Sequence, residues 1–289
     1  MHVPVMTGPV LEYLSIQPEG VYIDATAGLG GHTGAIARLL ANGFVFSSDR
    51  DADSLRQAAA NTADVAARIR FSHGPFSTLL DRFRASELPL AQGLLADLGV
   101  SRYQLTDSER GFSLQADGPL DMRMDRSGGE TASDLVNHYA EKALADLIYQ
   151  LGEERRSRQI ARAIVRARPI RSTLHLARVV EQVAPRTGRL HPATQTFMAL
   201  RLAVNRELEE LEALLDSAPA LVGNGGRFVV LTFMSLEDRV VKQRFKLWAQ
   251  QGRATVLTKH VVKPDEEETR ANPSARSAKL RAIVWKSGN

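Results

Sequence analysis

Asp24-Ala25-Thr26-Ala27-Gly28-Leu29-Gly30-Gly31-His32-Thr33 joins a strand to a helix through backbone that carries almost no side chain. Before it, Val21, Tyr22 and Ile23 read as a short buried strand, and after it the stretch from Gly34 to Leu40 has the apolar spacing of a helix. Glycine permits positive φ and close approach of a ligand, so this turn reads as a ligand cradle. A dinucleotide fingerprint wants G-x-G-x-x-G, and the sixth position counted from Gly28 is Thr33. A phosphate loop wants Gly-Lys-Ser/Thr at the helix start, and the turn holds neither lysine nor arginine.

The turn offers an acid instead. Asp24 at the strand's end suits a cationic ligand, and the helix N-terminus beyond suits an anionic group, so a zwitterion such as the methionine part of S-adenosylmethionine fits both ends. Asp49 follows the strand-like Phe44-Val45-Phe46-Ser47, where an acid grips ribose hydroxyls in sheets of this kind. Taken singly, either carboxylate also reads as a helix cap or half of a surface ion pair.

The chain has 289 residues, 44% apolar, with a formal net charge of +4 and no cysteine. That length and composition support a large core and exclude disulfides, thiolate metal sites and cysteine nucleophiles. No apolar run approaches the ~20 residues of a membrane span. Met1-His2-Val3-Pro4-Val5 lacks the basic region and apolar core of a signal peptide, so the chain reads as soluble and cytoplasmic. The seven histidines are dispersed without paired ligand spacing, which predicts no metal site. Charge is uneven: residues 155 to 206 hold twelve arginines against one acid, Glu181.

Strand and helix patterns alternate from residue 21 onward, as in a parallel sheet covered on both faces. The expected strands are 21–24, 44–48, 68–72, 93–97, 227–233, 254–258 and 280–285. About 130 helix-patterned residues separate the fourth from the fifth, far beyond an ordinary crossover. The expectation is a domain of residues 1–106 and 214–289 with an inserted helical subdomain, 107–213. Within the insertion one helix is expected over Arg155 to Arg168 and another over Pro192 to Leu215. The polar stretch Lys259 to Lys279 reads as a long loop.

The fourth strand delivers Asp97-Leu98-Gly99-Val100-Ser101 at its carboxyl end, where ligands of open α/β sheets sit. Asp97 would then face the acceptor of a transferred group, unless it is simply a turn former before Gly99.

The ordered set Thr26-x-Gly28-x-Gly30-Gly31-His32-Thr33, Asp49-Arg50-Asp51, Gly74-Pro75-Phe76-Ser77, Asp97-Leu98-Gly99-Val100-Ser101 and Glu109-Arg110-Gly111-Phe112-Ser113 resembles the bacterial ribosomal RNA small-subunit methyltransferase H (MraW) family. The resemblance continues through Asp117 to Asp125, His191-Pro192-Ala193-Thr194 with Phe197, Arg201 and Asn205, then Ser235-Leu236-Glu237-Asp238-Arg239, Asn272-Pro273, Arg276-Ser277 and Leu280-Arg281. It covers essentially the whole chain.

What the resemblance implies is a class I, Rossmann-like S-adenosylmethionine-dependent methyltransferase fold with a seven-stranded sheet and a helical insertion. The implied reaction is methylation of the exocyclic N4 of a cytidine, conventionally position 1402, in 16S rRNA of the small ribosomal subunit. Implied cofactor contacts are Gly30, Gly31, His32, Asp49, Phe76, Asp97 and Gln104, with Asp97 also catalytic. Plainer readings stand beside them: Phe76 as core, Gln104 as a solvated loop residue, His32 as a helix first-turn residue.

RNA contacts would come from Arg155, Arg156, Arg158 and Arg162, whose alternative is a solvated helix face, and from His191, Arg201 and Asn205. Arg123 either contacts substrate or holds its loop by pairing with Asp121 and Asp125. Ser235, Asp238 and Arg239 line the substrate side or cap the helix after the fifth strand, with capping favoured for Ser235. Three positions depart from the family pattern: Met234 replaces a histidine, Arg102 a second serine and Met198 a glutamine. Two other classes compete, a nicotinamide-dependent oxidoreductase and a non-catalytic ribosome-assembly factor that keeps the fold.

Overall fold

The computed structural model describes residues 4–184 and 191–286. The chain divides into two units, Met1–Gly99 with Glu209–Asn289, and Val100–Leu208. In chain order the first unit opens with α1 (Thr7–Leu14), β1 (Val21–Asp24), α2 (Gly31–Ala37), β2 (Phe44–Asp49), α3 (Ala52–Asn61), β3 (Ile69–His73), α4 (Leu79–Arg84) and β4 (Ala91–Asp97). The second unit supplies α5 (Arg102–Thr106), α6 (Ala132–His138), α7 (Glu141–Gly152), α8 (Ser157–Arg166), α9 (Thr173–Glu181) and α10 (Thr194–Val204). Helix α11 (Glu207–Leu221) begins in the second unit and ends in the first, followed by β5 (Val222–Thr232), α12 (Ser235–Gln250), β6 (Ala254–Val256), α13 (Glu266–Ala271) and β7 (Lys279–Trp285).

The first unit is built on a seven-stranded sheet of order β3-β2-β1-β4-β5-β7-β6. The strands from β3 to β5 pair in parallel, and β7 runs antiparallel to both β5 and β6. Both faces are covered, which explains why the strands read as continuous apolar runs. Alternate residues separate cleanly: Val21, Ile23, Leu94, Ala96, Phe228 and Val230 join one core with α4, α11 and α12. Tyr22, Leu95, Val229 and Leu231 join the other with α1 and α2. On the first face Phe245 of α12 stacks on Trp248 at 5.8 Å, and Trp248 meets Trp285 of β7 at 4.7 Å.

The seven expected strands are the seven observed, with shifts at their ends. The largest shift is at β5, which starts at Val222 because Val222 pairs with Ala91 before a register irregularity near Gly93. The glycines of Gly223-Asn224-Gly225-Gly226 obscure that early start in the sequence. The expected loop from Lys259 to Lys279 is more ordered than its polarity indicated. Asp265 caps α13 by accepting from Glu268 N–H at 2.7 Å, Val262 bridges to Leu280, and the Glu268 carboxylate accepts the Met6 N–H.

The second unit closes its own core around Leu135, Leu144, Ile148, Ile160, Ile164, Leu176, Val180 and Leu200. One continuous helix from Pro192 to Leu215 is not what forms. The chain breaks at Asn205 and at Arg206, which takes a left-handed φ of 48°. The cause is a distant loop: buried Asn205 accepts Met124 N–H at 2.8 Å and donates to Met122 O at 2.7 Å, and Arg201 clasps Glu207 across the break at 2.8 and 3.0 Å. Asn205→Ala should therefore cost about 2 kcal/mol by leaving the Met124 N–H without an acceptor. Hydrogen exchange at that amide reports it, and an unchanged rate there would show that Asn205 does not hold the loop.

Candidate active site

The sequence-predicted cofactor residues of the first unit gather at the carboxyl ends of β1, β2, β3 and β4. The switch point lies between β1, whose connection leads outward to β2 and β3, and β4, whose connection leads to β5. The cradle is shaped by Asp24, which is wholly buried. Its Oδ2 accepts the Thr33 hydroxyl at 2.6 Å, and its Oδ1 accepts Thr26 N–H at 3.1 Å and the Thr26 hydroxyl at 3.3 Å. This corrects the reading of Asp24 as a ligand's counter-ion, since its oxygens face the chain's own donors. Burial pushes its carboxyl above the ordinary value despite the bond from Thr33.

Gly30 shows why the loop needs glycine. Its φ is +84°, and a Cβ there would stand 3.1 Å from backbone atoms of Ala58 on α3. The constraint is helix packing and backbone conformation, more than ligand approach.

Asp49 stands at the end of β2. Its Oδ2 accepts Gly28 N–H at 2.8 Å and its Oδ1 accepts Asp51 N–H at 2.9 Å, so the strand end holds the cradle. Burial pushes this carboxyl up to about 6, against the pull of those two bonds. Phe76 follows the end of β3 through Gly74-Pro75, and Gly74 N–H donates to Asp49 O at 2.9 Å, which keeps the two strand ends together. Phe76 is partly buried against the core on the α4 face.

Asp97 ends β4 with its side chain 24% exposed, and its N–H donates to Thr26 Oγ1 at 2.7 Å. Buried His32, in the first turn of α2, places Nε2 3.5 Å from Asp97 Oδ2. Neither ring nitrogen of His32 nor Oδ1 of Asp97 has a hydrogen-bond partner among the described residues. Burial would lower the His32 pKa, but Asp97 and Asp24 outweigh it and hold the imidazole above its ordinary value.

Polar atoms buried without partners at the mouth of a carboxylate-lined cradle suit a ligand that carries both cationic and hydrogen-bonding groups. S-adenosylmethionine, a sulfonium with an amino acid at one end and a ribose at the other, fits that donor set. Among the described residues no group of three or more His, Cys, Asp or Glu side chains is arranged for a metal ion.

The remaining sequence-predicted residues divide. Gln104, in the second unit, is buried and closes a capping box at α5, its Oε1 accepting Ser101 N–H at 2.9 Å. Arg123 grips Asp121 through two bonds of 2.7 and 3.0 Å, so it holds its loop by ion pairing. Burial alone would raise Asp121, and Arg123 reverses this to hold the carboxyl below its usual range. Arg201 and Asn205, read from the sequence as RNA contacts, lie at the break before α11, where Arg201 binds Glu207 and buried Asn205 binds Met122 O.

His191 pairs with Glu181 at 2.9 Å. Arg155, Arg158 and Arg162 are exposed and Arg156 partly so, with Arg162 Nε 3.3 Å from Glu141. In the first unit, Asp238 is clasped by Arg281 at 2.7 and 3.1 Å, Arg239 is exposed, and Ser235 is exposed without capping α12. The N-cap is Met234, which has no side-chain oxygen to offer, so the favoured capping role for Ser235 is wrong by one position. Sequence reading missed Thr26 and Thr33, whose hydroxyls tie the site together. Their closeness to the buried acid was the available signal.

The chain matches the MraW methylase family over residues 1–286. The ribosomal RNA small subunit methyltransferase H of Solibacter usitatus (strain Ellin6076) is 62% identical over 283 residues, covering 98% of this chain and 99% of the relative. That of Acidobacterium capsulatum is 50% identical over 295 residues, with 99% and 98% covered, and that of Koribacter versatilis (strain Ellin345) is 47% identical over 297 residues, with 99% and 94% covered. With agreement of that depth from end to end, and a cradle whose chemistry suits the donor, the chain belongs to the MraW methylase family of S-adenosylmethionine-dependent methyltransferases.

Proposed function

We propose that this methylase transfers a methyl group from S-adenosylmethionine to the exocyclic N4 of a cytidine in 16S rRNA, at conventional position 1402, and works in the cytoplasm on the small ribosomal subunit. The observation that carries the proposal is Asp97: an acid at the end of β4, beside the cradle, with a buried oxygen lacking a partner. Neither the nicotinamide oxidoreductase nor the non-catalytic factor is favoured in a chain this close to named methyltransferases. Among the described residues no helix is long and apolar enough to cross a membrane.

S-adenosylmethionine supplies an electrophilic methyl on a sulfonium. The Gly30-Gly31-His32 backbone would hold its amino-acid end, the Asp49 carboxylate its ribose and the Phe76 ring its adenine. The N4 lone pair of cytosine is delocalised into the ring. Asp97 Oδ1 accepts an amine hydrogen and turns the lone pair outward, toward the methyl. The nitrogen becomes cationic as it is methylated and then sheds a proton to water, so no strong base is needed. Positioning and electrostatics supply the acceleration. A stacked base cannot present N4 in this way, so the target is single-stranded or extruded. The exposed arginines of and before α8 take phosphates.

Mass spectrometry of nucleosides from ribosomal RNA, with and without the protein, tests the reading directly. N4-methylated cytidine should depend on the protein, and an unchanged level removes the proposal. Asp97→Ala should lower kcat about a hundredfold or more at saturating cofactor, and normal turnover would dismiss Asp97 as the acceptor.

Asp49 sets a pH dependence. Ribose hydroxyls donate to the ionised carboxyl, so with a value of about 6 the affinity for S-adenosylhomocysteine should be about tenfold weaker at pH 5 than at pH 7.5. The sign for folding is opposite. A carboxyl raised in the folded state makes the free protein more stable as pH falls through 6, so this group cannot produce the loss of affinity by unfolding. Asp49→Asn should bind weakly and lose the part of the pH dependence centred near 6, and a calorimetric series in which the variant keeps the wild-type pH dependence would remove Asp49 from the ribose.

Replacing Arg155, Arg156, Arg158 and Arg162 together should weaken RNA binding and flatten its salt dependence by about 0.7 in log–log slope for each phosphate left without a guanidinium. A solvated helix face would leave both unchanged.

A further inference from the structure

Beside the ends of β2 and β3 lies an arginine that the proposed reaction does not use. Arg82, on α4, is partly buried, and its hydrogen bonds all go to neutral acceptors. Nη1 donates to Ser48 Oγ at 2.9 Å and Ser72 Oγ at 2.7 Å, Nη2 donates to Pro75 O at 2.7 Å, and Nε donates to Thr78 Oγ1 at 3.0 Å. Ser48 and Ser72 are register partners on adjacent strands, each one residue before its strand's last position, and Asp49 is the last residue of β2. Gly74 makes room for the guanidinium: its φ is +150°, and a Cβ there would stand 2.8 Å from Arg82 Nε. The same turn is held by Glu210 of α11, whose carboxylate accepts the Ser77 N–H at 2.9 Å and the Ser77 hydroxyl at 3.0 Å.

Packing alone does not call for this arrangement. Leu79 and Phe83 already anchor α4 in the core, and Arg82 takes its cation partly out of water, with the Glu210 carboxylate acting on it through space but no carboxylate bonded to it among the described residues. The guanidinium fork reaches two strand ends and one turn at once, which a point-like ammonium cannot do. We propose that Arg82 and Glu210 are positioning residues for the nucleoside end of the cofactor, setting the spacing between the Asp49 carboxylate and the Phe76 ring. The inference rests on the reading that Asp49 and Phe76 hold ribose and adenine. The two charged side chains touch neither ligand group and act through the Pro75-Phe76-Ser77 turn.

The test separates the cofactor from the rest of the reaction. Arg82→Met should raise the dissociation constant for S-adenosylhomocysteine and the KM for S-adenosylmethionine about tenfold. The KM for RNA, and kcat at saturating cofactor, should stay within about twofold. Arg82→Lys should recover only part of the loss, and Glu210→Gln should retain more affinity than Glu210→Ala because one acceptor for Ser77 remains.

If Arg82→Met does not fold, Ser72→Ala, which removes a single acceptor, and Glu210→Gln carry the comparison, each with a shift of about two- to fivefold. Wild-type protein that binds no S-adenosylhomocysteine would defeat the cofactor reading on which this one stands. Wild-type binding, with both Arg82→Met and Glu210→Ala within twofold of it, would overturn the positioning role alone. A parallel rise in the KM for RNA would do the same, since it marks general loss of structure.

Discussion

A carboxylate removed from water must find its partners inside the chain, and Asp24 imposes that requirement on the whole site. Its demand for donors draws Thr26 and Thr33 onto it, and each threonine carries the constraint further. The Thr33 hydroxyl also meets Ser47 Oγ at 2.7 Å, which reaches β2, while Thr26 Oγ1 accepts the N–H of Asp97, which reaches β4. One buried acid on β1 thereby coordinates the ends of both neighbouring strands. The glycines let the loop bend, but the hydrogen bonds to Asp24 decide which bend it takes. The position of Asp97 relative to the cradle follows from the same set.

The use of Asp24 as an internal anchor also suits the proposed chemistry. Methyl transfer moves a positive charge from sulfur to the acceptor nitrogen. A free carboxylate near the sulfonium would favour the bound substrate over the transition state, because the charge is leaving that place. A carboxylate near the acceptor favours the transition state, because the charge is arriving there. Asp24 has its charge taken up by hydroxyl and amide hydrogens, whereas Asp97 keeps an oxygen without a partner. His32 belongs to the same balance. Its contact with Asp97 at 3.5 Å is electrostatic rather than a well-aligned hydrogen bond, so it orients one carboxylate oxygen without occupying the other.

The sheet was legible because strands buried on both faces announce themselves as short apolar runs, and the crossover helices between β1 and β4 are short enough to be read locally. The cradle was legible for a similar reason, since strand, glycines and helix adjoin in the chain. What escaped were features set by contacts distant in sequence. The break between α10 and α11 depends on Asn205 meeting Met122 and Met124, 83 and 81 positions away, and no local pattern marks it. Asp24 was placed correctly but assigned outward, because local sequence does not reveal whether a carboxylate's partners are threonines or a ligand. Arg82 was invisible as part of the site: its acceptors include a backbone carbonyl and three hydroxyls from three segments. Met234 shows the same limit at smaller scale, because a helix start shifted by one residue exchanges capping serine for first-turn serine.

Arginine content carries the sharpest difference between composition and structure. Twelve arginines between residues 155 and 206 describe a charge, but a guanidinium binds carbonyls and carboxylates of its own chain as readily as phosphate. Arg168 Nε donates to Val136 O at 2.7 Å, where the chain leaves α6, and Arg201 is held by Glu207. Outside the segment, buried Arg110 donates to Arg123 O and Met124 O and so stitches the loop that Asn205 also grips. Arg186 and Arg189 lie outside the described residues. Arg155, Arg158, Arg166 and Arg171 are exposed, with no ion-pair partner among the described residues. Counterion release counts only guanidinium groups that exchange solvent ions for phosphate, so the segment's total charge is a poor measure of what it could offer a polyanion.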